Sequence, residues 1–185
     1  MVRISHRVGA VLEGSTAHHG RTARSHLRIQ AMAARVSPSR ADQMLERTGL
    51  ASAAGRRAGE FSLGMRQRLA LATALLPEPD VPILDEPANG LDPEGIRWLR
   101  DLLQGLAAEG RTVLVSSHIL AEVAQTVASV VILDHGRLVT QASLDQLTAA
   151  SDSACRSARP GRATCRPPCS PTAPAPSPPG PAGSR

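Results

Sequence analysis

From Val81 onward the chain alternates short apolar runs with helix-spaced ones, and no other feature restricts its fold as tightly. Val81–Leu84 is an apolar run of strand length. Asp92-Pro93-Glu94 then opens a helix whose Ile96, Leu99, Leu102, Leu103 and Leu106 recur at helical spacing up to Gly110. Thr112–Val115 reads as the next strand, His118 to about Val127 as the next helix, and Val130–Leu133 as a third strand. Asp134-His135-Gly136 turns into Arg137–Thr140, which makes a hairpin. Strand, helix, strand, helix, strand predicts an α/β fold with a mainly parallel sheet, flanked by helices on right-handed crossovers.

The first part of the chain is patterned differently. Val8-Gly9-Ala10-Val11-Leu12 has strand character, and Gly14 to Gly20 reads as a loop. One helix is predicted from Thr22 to about Arg35. A second begins at Ser37-Pro38, a cap followed by proline at the first helical position, and runs through Met44 and Leu45 to Gly49. A third runs from near Ser62 to Pro77. Residues 21–76 are thus expected to form a helical subdomain and 77–150 an α/β part, together one domain over 1–150. The segment 151–185 holds nine of the chain's fifteen prolines and almost no large apolar residue. It cannot bury enough surface to offset its ordering entropy, so a disordered tail is expected. Its abrupt change of composition fits a shifted reading frame or a natural linker.

Charge needs to be located before it is interpreted. The formal net charge is +5, but residues 151–185 carry five Arg against one Asp, so most of it sits in the tail. Residues 1–68 carry twelve Arg and four acids, whereas residues 69–150 carry four Arg and eleven acids. That asymmetry suits an acidic, metal-handling half beside a basic half that meets phosphates or an acidic partner; a solvated surface explains it nearly as well. With one Trp, one Phe and no Tyr there is no stacking platform, and nucleic acid is not an expected partner. No run approaches the roughly 20 apolar residues of a membrane helix. The start, Met1 to His6, lacks a signal-peptide core, and a cytoplasmic protein is expected. All three cysteines (Cys155, Cys165, Cys169) fall in the tail, too few for a zinc site. His18-His19 reads as solvated loop, and Trp98 as packing.

The strongest chemical signal is Val81-Pro82-Ile83-Leu84-Asp85-Glu86-Pro87. An apolar strand ending in two carboxylates sets them at the C-terminal edge of a parallel sheet, where such sheets bind ligands. In phosphoryl transfer one carboxylate can hold Mg²⁺ while the next orients or deprotonates water. Alone, the pair would more often be a solvated turn. Asn89-Gly90-Leu91-Asp92 follows, and after the next strand comes Ser116-Ser117-His118, which topology brings beside the carboxylates. Upstream, Phe61-Ser62-Leu63-Gly64-Met65-Arg66-Gln67-Arg68 puts Ser62 and Gly64 at a helix N-terminus. Exposed amides and the helix dipole favour an anion there, although an ordinary serine cap fits the same residues.

In this order the segments resemble the ATP-binding cassette (ABC) ATPases, over residues 8 to about 147. Ser62-Leu63-Gly64-Met65-Arg66 looks like a variant of the LSGGQ signature, in a form most like drug- or antibiotic-export ATPases. Asp85 resembles the Walker B aspartate, Glu86 the catalytic glutamate, Asn89–Asp92 the D-loop and His118 the switch histidine. Glu13 is similar to the Q-loop position, with Glu where Gln is commoner. The resemblance implies that Asp85 serves Mg²⁺, Glu86 the attacking water and His118 the γ-phosphate of ATP. Ser62, Gly64 and Asp92 would lie at the nucleotide face of a head-to-tail dimer with a second cassette. Glu13 and the helical block would couple the site to a transmembrane permease, at the inner face of the cell membrane.

Two departures stand against the pattern. No G-x-x-x-x-G-K-[ST] loop occurs, and the 185 residues contain no lysine at all. Without that amide cradle and ammonium the triphosphate loses its main grip. A partial P-loop NTPase-like cassette, inactive by itself, is therefore expected. The second departure is Pro82, because proline inside a central strand removes a ladder donor and should loosen Asp85 and Glu86. Three readings follow: a truncated or mis-started transporter ATPase, a non-catalytic subunit using its signature face to bind a cassette or a membrane protein, and a soluble cassette acting on nucleic acid or ribosomes. The nearly neutral body favours the first over the last.

Overall fold

The computed structural model describes residues 7–12, 17–119, 126–144 and 146. These lie within one compact unit that reaches to Gln146. The elements are β1 (Val8–Val11), α1 (Ala23–Ala33), α2 (Ser39–Arg47), α3 (Leu63–Leu75), β2 (Val81–Asp85), α4 (Pro93–Ala108), β3 (Leu114–Ser116), β4 (Ser129–Asp134) and β5 (Arg137–Ser143). Two short 3₁₀ turns, Ala51–Ala53 and Ala58–Glu60, join α2 to α3. Glu13, most of the helix expected after His118 and the segment 151–185 lie outside the described residues.

Strands β1, β2 and β3 form a parallel sheet in that order, with Ala10 beside Ile83 and Asp85 beside Ser116. The helices between these strands are the crossovers that parallel pairing demands. One expectation is corrected here. The run at 130–133 is not the third strand of this sheet: among the described residues β4 pairs with β5 alone, antiparallel, and β1 takes the third place. The hairpin with β5 is as expected. His135 and Gly136 link the paired Asp134 and Arg137 with φ of 45° and 75°, so both sit in the left-handed region that a two-residue hairpin requires.

Pro82 also departs from expectation, since it lies fully buried in the central strand. The ladder accommodates it. Val81 donates its amide N–H to Arg7 on the β1 side, so the missing donor of Pro82 falls on the β3 side. There, pairing begins only with Ile83 and Leu114, so the lost bond is at the mouth of the ladder. For the same reason β3 starts at Leu114 and not at Thr112, whose N–H instead reaches the Asp80 carbonyl at 3.0 Å.

The helical block supplies most of the core. Leu69 through Leu75 in α3 are buried without a break, as expected of a helix packed on all sides. Leu27 and Ala31 from α1, and Met44 and Leu45 from α2, close around it. Each large side chain so buried contributes roughly 1.5–3 kcal/mol. Close approach to α3 also explains Gly9, where a Cβ would lie 2.4 Å from the Ala74 carbonyl oxygen. Thr22 caps α1 by accepting the Ser25 N–H at 3.1 Å. The start of α2 shifts by one residue from expectation: the helix begins at Ser39, with Pro38 already at helical dihedrals. The buried polar pair His26 and Thr73 joins α1 to α3 at 3.3 Å.

Candidate active site

The site is built where β2 and β3 end together. Their register sets Asp85 beside Ser116, so the carboxylate and the hydroxyl rise from adjacent strands. Ser116 Oγ donates to Asp85 Oδ1 at 2.5 Å and accepts the Glu86 N–H at 3.0 Å. Glu86 turns out of the strand with φ of 45°, a left-handed conformation rare for a residue with a side chain. Its carbonyl accepts the Asn89 N–H at 3.1 Å. Its Oε1 lies 2.9 Å from His118 Nδ1, whose N–H donates to the carboxylate. Thus Glu86 and His118 do meet, as topology predicted, and Asp85 is tied to Glu86 through Ser116. His118 stands mostly in solvent while the Glu86 side chain is largely covered (74% and 22% exposed), so the imidazole caps the glutamate from outside.

The second cluster sits at the start of α3. Ser62 is its N-cap, and its Oγ accepts the Met65 N–H at 3.2 Å. Gly64 packs on the loop after Glu86, because a Cβ there would approach the Gly90 carbonyl oxygen to 3.1 Å. The contact is tighter from the other side: a Cβ on Gly90 would stand 2.3 Å from Leu63 Cδ2, and Gly90 has φ of 76°. Glycine at position 90 is required by both conditions. Asp92 caps α4, its Oδ1 accepting the Gly95 N–H at 2.8 Å. Trp98 packs as expected, with the Arg68 guanidinium 4.6 Å from its ring centre. Sequence reading attached no role to Ser116 or to the Leu63–Gly90 contact. The former shows only once strand register is known, and the latter only once tertiary packing is known.

The ABC transporter family profile matches residues 2–89. A bacitracin transport ATP-binding protein, BcrA of Bacillus licheniformis, is 42% identical over 146 residues, covering 78% of this chain and 48% of that protein. A solved structure titled as the ATP-binding subunit of an ABC transporter superposes with a TM-score of 0.70 at 30% identity, covering 80% of this chain and 63% of the other. The chain carries an ABC transporter ATP-binding domain. It is similar as well to the lantibiotic transport ATP-binding protein SrtF of Streptococcus pyogenes, at 34% identity over 75% of this chain and 61% of that one. This cassette chain spans about half the length of its bacitracin relative.

The family implies ATP and Mg²⁺, and the donor set present fits the metal in one way. Among the described residues no three His, Cys, Asp or Glu side chains gather to hold an ion. Asp85 is the carboxylate at the strand end, and Mg²⁺ commonly takes one or two carboxylates with the rest of its ligands from phosphate and water. The residues therefore suit a cation that arrives with a nucleotide, and do not form a protein cage for a free one.

Proposed function

We propose that the chain supplies the metal-, water- and signature-bearing part of the ATP-hydrolysing subunit of an ABC exporter, with antibiotic-type cargo. The observation that carries this reading is the group formed by Asp85, Glu86 and His118 at one strand end, with Glu86 held by Ser116, Asn89 and His118. In this reading Asp85 holds Mg²⁺, which neutralises charge on the phosphates. Glu86 orients the attacking water and takes its proton, and His118 reaches the γ-phosphate. Ser62 and Gly64 face nucleotide held by a second, head-to-tail cassette, with Asp92 and the D-loop beside them. Glu13 and the helical subdomain couple hydrolysis to a transmembrane permease at the inner face of the membrane. Among the described residues no helix is long and apolar enough to cross a membrane. The division at about residue 150, with 151–185 as a separate tail, belongs to the same reading.

No phosphate loop lies within these 185 residues, and none can be hidden in them without a lysine. Grip on the triphosphate then has to come from elsewhere, which favours work in an assembly and inactivity in isolation. A second reading, in which the chain donates only its signature face to an intact partner, is favoured by the exposed start of α3, where Leu63 is 54% exposed. Both are tested with a partner cassette that carries a phosphate loop but has lost its own signature. Added chain is expected to restore ATPase activity, and Ser62→Arg to abolish that gain. A second partner that keeps its signature but has Gln in place of its own catalytic glutamate separates the two readings: activity that Glu86→Gln removes means that the chain hydrolyses, and no such activity means that it only donates the face. No restoration at all would contradict both readings.

A further inference from the structure

Ser116 makes two bonds that no role assigned so far requires. Its Oγ is at once a donor to the Asp85 side chain and an acceptor for the Glu86 main chain. One hydroxyl thus fixes both neighbouring acidic residues, one through its carboxylate and the other through its backbone. The two bonds have different consequences. The first occupies Asp85 Oδ1, and so sets the rotation of that carboxylate relative to the sheet edge. The second opposes strain. Glu86 sits at φ of 45°, a conformation that persists only where surrounding contacts over-determine it. Its known tethers are the Asn89 N–H on its carbonyl, His118 on its carboxylate and Ser116 on its amide. Two of the three come from the segment 116–118, so the end of β3 carries the turn that presents Glu86.

We infer that Ser116 is a positioning residue that sets Asp85 and Glu86 jointly, so that the cation-binding and water-orienting groups keep a fixed separation. The inference rests on the proposed roles of those two carboxylates. Its geometry also says which substitutions matter. Threonine keeps the hydroxyl and suits a strand, valine keeps that shape without the hydroxyl, and alanine removes both.

Amide hydrogen exchange by NMR on the full chain tests the clamp. In Ser116→Ala and Ser116→Val the Glu86 amide is expected to exchange about tenfold faster, the factor that one hydrogen bond of ordinary net strength is worth. In Ser116→Thr it should stay within about twofold of wild type. The Leu71 amide in α3 should keep its wild-type rate throughout, which separates a local clamp from general loosening. Unchanged Glu86 exchange in both Ala and Val variants overturns the inference, as does equal acceleration of Glu86 and Leu71. A second arm adds millimolar manganese–ATP and follows paramagnetic broadening of the Asp85 and Glu86 amides. Wild type and Ser116→Thr should broaden at a severalfold lower concentration than Ser116→Ala; equal broadening in all three counts against joint positioning. Absence of broadening in wild type would show that nucleotide-bound metal does not reach Asp85 in the chain by itself, and the exchange result then decides the clamp.

Discussion

The helical block and the sheet edge solve opposite problems. Around α3, Leu and Ala side chains are buried without a break, and the polar pair His26–Thr73 is enclosed among them. At the end of β2 and β3, Asp85, Glu86, Ser116 and His118 are joined by hydrogen bonds, and Glu86 adopts a strained backbone. The first region is held by area removed from water, which tolerates no missing volume. The second is held by a few directional bonds, which tolerate little change of chemistry. The two meet where Leu63 and Gly64 at the start of α3 rest on Gly90, four residues beyond Glu86. Stability therefore resides chiefly in the block, and reactive geometry at the edge.

Substitutions can break that contrast or sharpen it. The largest effect is expected from Leu71→Ala, which empties a fully buried site and should cost about 3 kcal/mol. A urea titration should show a lower midpoint, and Glu86 exchange below the unfolding transition should be unaffected. A cost under about 1 kcal/mol would mean that the block is not the tight core described. Gly90→Ala should cost roughly 1–3 kcal/mol, through its positive φ and its clash with Leu63. In a Leu63→Ala background part of that cost should disappear, and strict additivity would deny the contact between the two regions. Asp92→Ala should cost about 1 kcal/mol by removing the α4 cap, with Asp92→Asn nearly silent. Equal loss in both would show that the carboxylate's charge, and not its cap, is what matters.

The smallest effect concerns acid. Burial, with a further contribution from Arg21, lowers the pKa of His26 below its ordinary 6.5. Below about pH 6.5 the unfolded chain binds a proton that the folded chain still refuses, so stability falls with pH until the folded-state pKa is passed. His26→Gln should flatten this part of the stability–pH curve. An identical slope in both proteins would show that the ring is not held neutral.

What could be read from the sequence was local. Ser62 and Asp92 announced their caps, because a polar side chain before an apolar helical pattern has few other uses. Asp85, Glu86 and His118 could be placed together because parallel strands bring their C-terminal ends to one edge. Partnership was harder to see. The Asp134-His135-Gly136 turn announced the hairpin of β4 with β5, but not that β4 pairs outside the parallel sheet among the described residues. Pro82 looked disruptive because its tolerance depends on where β3 begins, which is set by another segment. Ser116 gave no signal beyond being a serine near a histidine, since its role exists only in the register of two strands. His26 was equally silent, because burial of one polar residue in α1 is decided by α3.

In the proposed function these residues carry the hydrolytic edge of a cassette but not the grip on the triphosphate. Calorimetric titration of the isolated chain with magnesium–ATP tests it most directly. No micromolar binding is expected, and no difference between the wild-type chain and Asp85→Asn in the micromolar range. Micromolar affinity that Asp85→Asn weakens would contradict it, and would mean that this lysine-free chain holds nucleotide phosphates unaided.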